Sequence, residues 1–380
     1  MARTLDVCIR GAGITGRALA LLLGRERLRV GLLESSHPNP HAGLSDVRAY
    51  ALNQASKTLL ESLRCWPDAT YVTPVHTMQV FGDGRGQLTF DAHSEGSEAL
   101  TWIVEVAALE DRLAQALTYQ PQIEILQTPQ AARLTVVCEG RASVTRSEFG
   151  VEFDVTPYHQ QAIAARVTRQ QPHGQTARQW FTEQGILALL PLGGEHGKEM
   201  AMVWSLDAQR AQELRDLPES DFLLQLQAAC MDSGSDWSLS GRRASWPLQL
   251  ARARRWTGEN AEGAWALAGD AAHTVHPLAG QGLNLGLADV AELASTLRGR
   301  DYWREAGDAR LLRRYERARK ADVWAMGCAT DGLQQLFTQN HPAWKQLRNW
   351  GLSGFDHSGP IKRWMTRHAM GVHPSGKTPA

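Results

Sequence analysis

The chain has 380 residues, which suits two domains that share a core, so burial of apolar surface is not limiting. Lysine plus arginine equals aspartate plus glutamate at 40 each, which argues against a general nucleic-acid-binding protein. The charge is uneven along the chain: residues 1–240 hold 20 basic and 28 acidic residues, and residues 241–380 hold 20 and 12. The basic carboxyl-terminal part could therefore meet a membrane surface or an acidic partner.

Cysteine spacing and hydropathy limit the compartment and the kind of site. Five scattered cysteines without a Cys-x-x-Cys pair fit a reducing compartment and argue against a disulfide reductase or a structural zinc site. No apolar run reaches the roughly 18 residues of a spanning helix, and the amino terminus has no signal-like core. We therefore expect a cytoplasmic protein without a metal site, either soluble or peripheral at the inner membrane.

A glycine-rich turn follows the first predicted strand. Leu5 to Arg10 is a short strand, and a helix opens in the run Gly11-Ala12-Gly13-Ile-Thr-Gly16. A second strand, from Leu28, ends at Glu34. In this setting Gly11 makes the tight turn, Ala12 and Gly13 let a pyrophosphate approach, Gly16 allows close helix packing, and Glu34 binds the adenosine ribose. The pattern predicts a dinucleotide site without separating FAD from NAD.

The middle of the chain predicts a second, sheet-rich domain. Alternation from His76 to Phe90 around a glycine-rich turn predicts a hairpin, and Leu109 to Tyr119 predicts an amphipathic helix. Further segments predict strands at Tyr158–Val167, Trp180–Leu192 and Met200–Leu206, and then a helix from Pro218 to Cys230. Apolar strand residues are more often plain core than a ligand pocket. Both interpretations apply to the residues Trp180, Phe181, Leu189, Met202 and Trp204.

The stretch from Trp265 to Asp289 has the pattern of a cofactor cradle. An apolar strand stops at Gly269, and Asp270 then presents a carboxylate at the strand's carboxyl end, where ligands bind in open α/β sheets. Three glycines, Gly280, Gly282 and Gly286, would let a flat ligand approach the backbone. A helix that starts near Asn284 would aim its positive end at that ligand.

This stretch resembles the second flavin fingerprint of the class A flavoprotein monooxygenases. Its form His-Thr-Val-His-Pro-Leu-Ala-Gly-Gln-Gly-Leu-Asn-Leu-Gly-Leu is similar to the ubiquinone-biosynthesis hydroxylase branch of that family. The resemblance implies an α/β fold: a Rossmann-like FAD-binding domain of the p-hydroxybenzoate hydroxylase type, interleaved with a β-sheet substrate domain and followed by a helical region. On this basis we assign residues 1–75, 101–155 and 256–300 to FAD binding, 76–100 and 156–255 to the substrate domain, and 301–380 to the helical region.

The resemblance also implies residue roles. It places Arg48, from the element Asp46-Val-Arg48-Ala-Tyr-Ala-Leu52, along the flavin, although a surface arginine behind a helix-capping aspartate is the alternative. Pro277 would pack beside the flavin ring. Backbone donors of the segment Gly280, Gln281, Gly282, Leu283 and Asn284 would stabilise negative charge on the reduced flavin. We assign no catalytic residue, since His276 as a base and His276 as a backbone partner both remain open.

Three positions depart from the family pattern. Arg10 stands where an apolar residue usually precedes the first glycine, and Glu110 stands where a polar or basic residue usually lies near the flavin. Glu139 begins the element Glu139-Gly-Arg-Ala-Ser143-Val-Thr-Arg146, whose first residue is aspartate in relatives.

A basic segment from Arg242 to Arg255 precedes the second motif. It is either a solvated surface or a docking patch for an NADPH phosphate.

The resemblance implies an FAD-dependent hydroxylase of a prenylated aromatic substrate. A flavin C4a-hydroperoxide would deliver one atom of O2 to the ring of a polyprenyl phenol or benzoquinol, with NAD(P)H or a reductase as electron donor. The alternatives are a hydroxylase of another small aromatic compound, an FAD dehydrogenase or oxidase, and a flavin-bearing scaffold subunit of a biosynthetic complex. Tryptophans and cations between Trp344 and Arg367 suit either a membrane interface or a packed helical cap.

Overall fold

The computed structural model describes residues 5–34, 47–82, 87–182, 184–194, 196–231, 236–275 and 281–338. Its strands are, in chain order, β1 (Leu5–Arg10), β2 (Val30–Leu33), β3 (Ala49–Leu52), β4 (Val72–Val75), β5 (Thr77–Phe81), β6 (Gln87–Asp91), β7 (Thr101–Glu105), β8 (Ile123–Leu126), β9 (Ala132–Val137), β10 (Phe153–Arg169), β11 (Thr176–Thr182), β12 (Gly185–Pro191), β13 (Glu199–Asp207), β14 (Trp237–Ala253), β15 (Thr257–Asn260), β16 (Gly263–Leu267) and β17 (His273–Thr274). Its α-helices are α1 (Ile14–Arg25), α2 (Gln54–Ser62), α3 (Val106–Thr118), α4 (Val144–Glu148), α5 (Ala208–Asp216), α6 (Glu219–Ala229), α7 (Gln281–Arg298) and α8 (Ala309–Thr338).

Strand β1 lies inside a six-stranded sheet with the order β15-β16-β9-β1-β2-β8. All neighbours in this sheet are parallel except the β15–β16 hairpin. Val7, Cys8 and Ile9 are fully buried, as expected for a parallel strand that is covered on both faces. Because parallel strands end at the same edge, the turns after β1, β2, β9 and β16 meet there. That edge brings Gly11, Glu34, Glu139 and Asp270 into one region of the molecule.

The second large sheet has eight strands in the order β17-β14-β10-β13-β12-β11-β5-β6. It is antiparallel except for the β11–β5 pair. One face packs under α5 and α6, where Trp204 lies against Phe222 and Leu226. Part of the other face packs against a three-stranded sheet with the order β3-β7-β4. The eight-stranded sheet is therefore covered by helices over its central strands on one face and partly covered by the small sheet on the other.

The two large sheets are joined directly at the second glycine-rich motif. Strand β17 pairs with β14 through Ala251 opposite Thr274 and Arg252 opposite His273. The turn that carries Asp270 is thus held between both sheets. The three-stranded sheet is linked to the eight-stranded sheet separately, because Glu105 at the end of β7 forms an ion pair with Arg166 of β10, with Oε2 and Nη2 2.6 Å apart.

The predicted α/β fold is confirmed, while one predicted strand is wrong. Trp180–Leu192 is not a single strand but the hairpin of β11 and β12. The chain reverses before Gly185, whose φ of +145° is a conformation that residues with a side chain rarely adopt. The sequence pattern predicted one strand because apolar residues stand on both sides of the turn.

The predicted aromatic pocket is also largely core. Trp180, Leu189, Met202 and Trp204 pack beneath α5 and α6. Phe181 instead lies on the opposite face with Ile186. The pocket interpretation is therefore wrong for the first four residues, because alternation along β11, β12 and β13 turns their side chains to the helix-covered face.

The basic segment before the second motif lies in or directly after β14, a strand that the sequence did not predict. Arg243 donates hydrogen bonds to the carbonyls of Leu214 and Leu217. Arg254 forms ion pairs with Glu152 and Asp154. Two of the five arginines thus have structural partners, which weakens the interpretation of the segment as a phosphate-docking patch.

The predicted domain ranges remain a proposal. At the carboxyl-terminal side, α8 accounts for part of the predicted helical region, and the tryptophans from Trp344 onward lie outside the described residues. Within the described residues, no helix is both long and apolar enough to cross a bilayer.

Candidate functional site

The three glycines of the first motif divide into two kinds. Gly11 has φ +109°, and a Cβ there would lie 2.6 Å from the Cys138 carbonyl oxygen. A Cβ on Gly16 would lie 1.9 Å from the Gly11 carbonyl oxygen. At Gly13, by contrast, no heavy atom of the described part of the chain lies within 4 Å of such a Cβ, and the residue is exposed, with Ala12 half-buried before it. Gly11 and Gly16 are glycines for protein packing, and Gly13 leaves space at the amino end of α1.

Glu34 stands beside this turn. It follows β2, and its exposed side chain lies one residue after Leu33, whose carbonyl accepts a hydrogen bond from the Gly11 amide at 3.1 Å. The structure thus brings Gly13 and Glu34 to the same sheet edge. This is the arrangement that the sequence predicted for a dinucleotide.

Asp270 lies at the same sheet edge. Gly269, with φ +62°, starts a short 3-10 turn after β16, and the Asp270 side chain is exposed within it. Burial by the surrounding protein nevertheless raises the pKa of Asp270, while charge on His273 and Arg141 acts in the opposite direction. The Asp270 carboxylate thus has protein close around it and still reaches solvent. Its oxygens can therefore accept hydrogen bonds from a ligand.

The turn is held from below by a buried carboxylate, Asp289 of α7. Its Oδ2 accepts the Gly269 amide at 2.9 Å and His273 Nε2 at 2.6 Å, and its Oδ1 accepts Arg319 Nε at 2.8 Å. Burial alone would raise the pKa of Asp289, but its contacts with His273 and Arg319 outweigh that effect and lower it. Because ionised Asp289 only accepts hydrogen bonds, His273 carries its proton on Nε2. Asp289 thus ties the Asp270 turn to α7 and α8.

Helices α1 and α7 converge on this turn. A Cβ on Gly286 would lie 3.1 Å from Thr15 Oγ1 and 3.4 Å from the Cα of Gly269, and a Cβ on Gly269 would also meet Thr15. Gly286 therefore serves close helix packing rather than the approach of a flat ligand, which corrects our expectation for it. Among the described residues, which exclude 276–280, Gly282 has no heavy atom within 4 Å of its Cβ position, so it matches Gly13 in leaving space.

Asn284 is engaged with protein through its side chain. Its side-chain oxygen accepts the Asn53 amide at 3.0 Å and Ser56 Oγ at 2.7 Å, and its nitrogen donates to the Ala51 carbonyl at 2.8 Å. The described helix begins at Gln281, three residues before the expected start. Asn284 therefore fixes the amino end of α7 against β3 and α2. Any contact that it makes with a cofactor comes through its backbone.

The remaining predicted site residues are placed less fully. Gln281 and Leu283 are half-buried in the first turn of α7, and Arg48 is half-buried directly before β3. Pro277 and Gly280, like His276, lie outside the described residues. Glu110 lies in α3, where its carbonyl oxygen accepts a hydrogen bond from Arg17 of α1 at 2.9 Å.

Two departures from the family pattern meet at one hydroxyl. Thr145 Oγ1 donates to Glu139 Oε1 at 2.7 Å and accepts from Arg10 Nη1 at 3.3 Å. Glu139 Oε2 also accepts the Thr145 amide and Ser143 Oγ, so its carboxylate caps the amino end of α4. The next residue, Arg146, is buried and donates to the carbonyl of Ala271 at 3.1 Å. Helix α4 thus connects the first motif to the Asp270 turn.

The residues present fit FAD. Gly13 and Gly282 are places where a Cβ would fill open space at the amino ends of two helices, and helix amino ends favour phosphate. Asp270 offers acceptors to a hydroxyl chain, and Glu34 offers them to a ribose. Gly13, Glu34 and Asp270 are therefore a candidate cradle for an extended, phosphate-bearing, polyhydroxylated ligand.

Several residues that build the site were missed by the sequence interpretation. Asp289, His273, Arg319 and Arg146 lie outside the candidate cradle, yet all fix the Asp270 turn. Asp289 and His273 both lie between Trp265 and Asp289, the stretch that resembles the flavin fingerprint. For Asp289, the available signal was a charged residue on an otherwise apolar face of α7. Arg319 had no such signal, because its role depends on how α8 packs against α7.

Comparison with known proteins agrees with this geometry. A family model described as FAD binding domain matches residues 127–330, somewhat more than half of the chain. The chain is 29% identical to 3-demethoxyubiquinol 3-hydroxylase of Escherichia coli, over 97% of the chain and 98% of that protein. It is 28% identical to ubiquinone hydroxylase UbiL of Rhodospirillum rubrum, over 99% and 92%.

Among solved structures, the fold is similar to that of p-nitrophenol 4-monooxygenase from Pseudomonas putida. The TM-score is 0.72 at 18% identity, and the match covers 97% of each chain. The chain therefore belongs to the FAD binding domain family, within the class A FAD-dependent monooxygenases, and FAD is its cofactor.

Proposed function

We propose that the protein hydroxylates the aromatic ring of a prenylated phenol or benzoquinol in ubiquinone biosynthesis. The observation that carries the proposal is the accessible Asp270, whose turn leads directly into β17 and so joins the candidate FAD cradle to the eight-stranded sheet. Relatives that match the chain over nearly their whole length are named ubiquinone hydroxylases, which supports this substrate class.

The chain's own residues bind and orient FAD. Gly13 and the amino end of α1 would lie against the pyrophosphate, Glu34 would bind the adenosine ribose, and Asp270 would accept hydrogen bonds from the hydroxyl chain. The amino end of α7, with Gly282, would stabilise negative charge on the reduced ring. We retain Arg48, Pro277 and Gly280 as further contacts. Bound FAD, once reduced by NAD(P)H or a reductase, supplies the activation of O2 for transfer of one oxygen atom.

A row of small residues crosses the eight-stranded sheet on its partly covered face. Ala188, Val203, Ala164 and Ala244 lie side by side across β12, β13, β10 and β14. Ala188, Val203 and Ala244 are half-buried rather than closed off, unlike the opposite face beneath α5 and α6. Small side chains leave more room above a sheet than large ones do. We assign this row as the floor on which a flat aromatic ring would lie.

Larger side chains border the floor. In the next row, Phe181 lies beside Ile186, and Trp246 lies beside Ala162. Arg166 stands at the other border in its ion pair with Glu105, where the three-stranded sheet covers the face. An apolar wall on one side and a closed layer on the other would exclude water, which hydroxylation by activated oxygen requires.

The first test is deletion of the gene in its host, followed by mass analysis of the quinone precursors. We expect a prenylated phenol that lacks one or more ring hydroxyl groups to accumulate. Wild type should restore the quinone, and Asp270→Ala should not. An unchanged quinone pool in a host without a second hydroxylase would contradict the proposed substrate while leaving the FAD family intact.

The floor can be tested separately from the cofactor. Ala188→Phe should keep its bound FAD but lose substrate-stimulated NAD(P)H oxidation, because the new ring occupies the place of the substrate. Ala188→Ser is the matched control and should retain activity. Equal activity of the Phe variant would place the substrate elsewhere. With purified protein, incorporation of 18O from O2 into the product separates a hydroxylase from a dehydrogenase.

A further inference from the structure

The exposed face of α8 carries a row of arginines. Arg310, Arg313, Arg314 and Arg317 are all exposed, and their spacing of three and four residues puts them on one side of the helix. Among the described residues, none of these four guanidinium groups forms an ion pair with a carboxylate. Four like charges within two turns repel one another, so the row costs the isolated helix stability.

The nearby acidic residues are already engaged. Asp308 pairs with Arg304 and accepts the backbone amides of Arg310 and Leu311 at the start of the helix. Glu316 pairs with Lys320 and also accepts the Trp256 amide and Thr257 Oγ1. Three arginines of the row, Arg310, Arg313 and Arg317, line a groove of about 400 Å³ together with Glu316. The positive charge of the row is therefore open to an external anionic partner.

Exposed tryptophans flank the row. Trp303 is 64% exposed in the segment before α8, and Trp324 is 63% exposed within the helix. At 3.6 residues per turn, Trp324 lies in the same sector as Arg310 and Arg317, about 21 Å along the helix axis from Arg310. Alanines occupy positions 321 and 325 beside it, so no acidic side chain interrupts the sector between residues 310 and 325.

We infer that this face of α8 is a docking surface for an anionic lipid membrane. Arginines attract anionic headgroups, and an exposed indole places its ring at the boundary between headgroups and acyl chains. A protein partner is the alternative occupant, and it would have to cover the row with acidic side chains, which vesicle and polyglutamate binding distinguish from lipid. The inference is independent of the proposed substrate, since it depends only on charge and exposure.

The test is flotation of the FAD-loaded protein with vesicles of phosphatidylcholine alone or mixed with phosphatidylglycerol. We expect binding to the mixed vesicles that weakens as salt is raised. Each arginine near an anionic surface contributes about fivefold to binding, so the triple variant Arg313→Gln/Arg314→Gln/Arg317→Gln should bind about 100-fold more weakly. Trp324→Ala should weaken the binding that persists at high salt.

A charge-matched control separates the surface from net charge. Arg25→Gln/Arg210→Gln/Arg242→Gln removes the same charge away from α8 and should bind mixed vesicles nearly as well as wild type. Circular dichroism and flavin content should be unchanged in both triple variants. Equal loss in the two triple variants, or equal binding to neutral vesicles, would overturn the inference. Failure to bind vesicles combined with arginine-dependent binding to polyglutamate would overturn it in favour of an acidic protein partner. Vesicle binding needs no turnover, so its failure is distinguishable from failure of the proposed function.

Discussion

Asp270 and Asp289 belong to the same stretch of sequence but lie in opposite surroundings. Asp270 is exposed, yet burial by its neighbours raises its pKa. Asp289 has no exposed surface, and its contacts with His273 and Arg319 lower its pKa despite complete burial. Asp289 is thus satisfied by the protein, and Asp270 is accessible, which supports our proposal that Asp270 binds the cofactor.

The same division runs through the glycines. Gly13 and Gly282 face open space, whereas Gly16 and Gly286 allow close contacts within the protein. A glycine in a sequence fingerprint can therefore be required either for ligand binding or for close packing, and the sequence alone does not distinguish the two reasons. Substitutions should separate them, because packing residues should change stability and binding residues should change FAD affinity.

The largest expected effect is that of Asp289→Asn on folding. The change removes the buried carboxylate that pairs with both His273 and Arg319 and leaves Arg319 only its partly exposed partner Asp322, which costs about 3–5 kcal/mol of unfolding free energy. Denaturant unfolding of the apoprotein measures this loss directly. Because the folded pKa of Asp289 is lowered, its stabilising contribution is present above the unfolded value of about 3.9 and is lost as pH falls through the folded value. The variant should lack that part of the acid dependence, and a loss below about 1 kcal/mol would contradict the buried network.

Asp270→Asn should have the complementary effect. Loss of charged hydrogen bonds to FAD costs about 1.5–3 kcal/mol of binding, so the dissociation constant should rise by about 10- to 100-fold. Because the folded pKa is raised, the ionised side chain opposes folding at pH values above the unfolded value. The apoprotein of the variant should therefore melt at the same or a higher temperature than wild type. Flavin titration measures the FAD affinity, and thermal scans measure the melting temperature. Unchanged FAD affinity would refute the assignment of Asp270 to the cofactor site.

The glycine pair Gly16 and Gly13 sharpens the comparison within one motif. Gly16→Ala places a Cβ 1.9 Å from a backbone oxygen, and such overpacking costs at least about 1–3 kcal/mol of stability. Gly13→Ala should leave apoprotein stability within about 0.5 kcal/mol of wild type, because its Cβ meets no heavy atom within 4 Å. It should still weaken FAD binding, and Gly13→Val should prevent it. Normal FAD affinity of the Val variant would remove Gly13 from the site.

The sequence predicted the features that depend on local chemistry. Parallel strand ends and glycine conformations are local, so Gly13, Glu34 and Asp270 could be assigned to one sheet edge before the fold was known. Arg319 could not be assigned to the site from the sequence, because it contacts Asp289 only through the packing of α8 against α7. The hairpin within Trp180–Leu192 was missed for a different reason: both of its strands are apolar, and the turn between them is short.

The smallest expected effect concerns the two departures that meet at Thr145. Arg10→Leu and Glu139→Asp each restore the usual family residue, yet each alone breaks a chain in which Thr145 Oγ1 accepts from Arg10 and donates to Glu139. If the two departures compensate for one another, the double variant should lose less stability than the sum of the single variants, with a coupling of about 0.5–1.5 kcal/mol. Unfolding and FAD affinity should be measured for all four proteins. Additive losses would contradict compensation between the two departures. They would mean that Arg10 contributes to stability mainly through its ion pair with Glu262, whose Oε2 lies 2.8 Å from Arg10 Nη2.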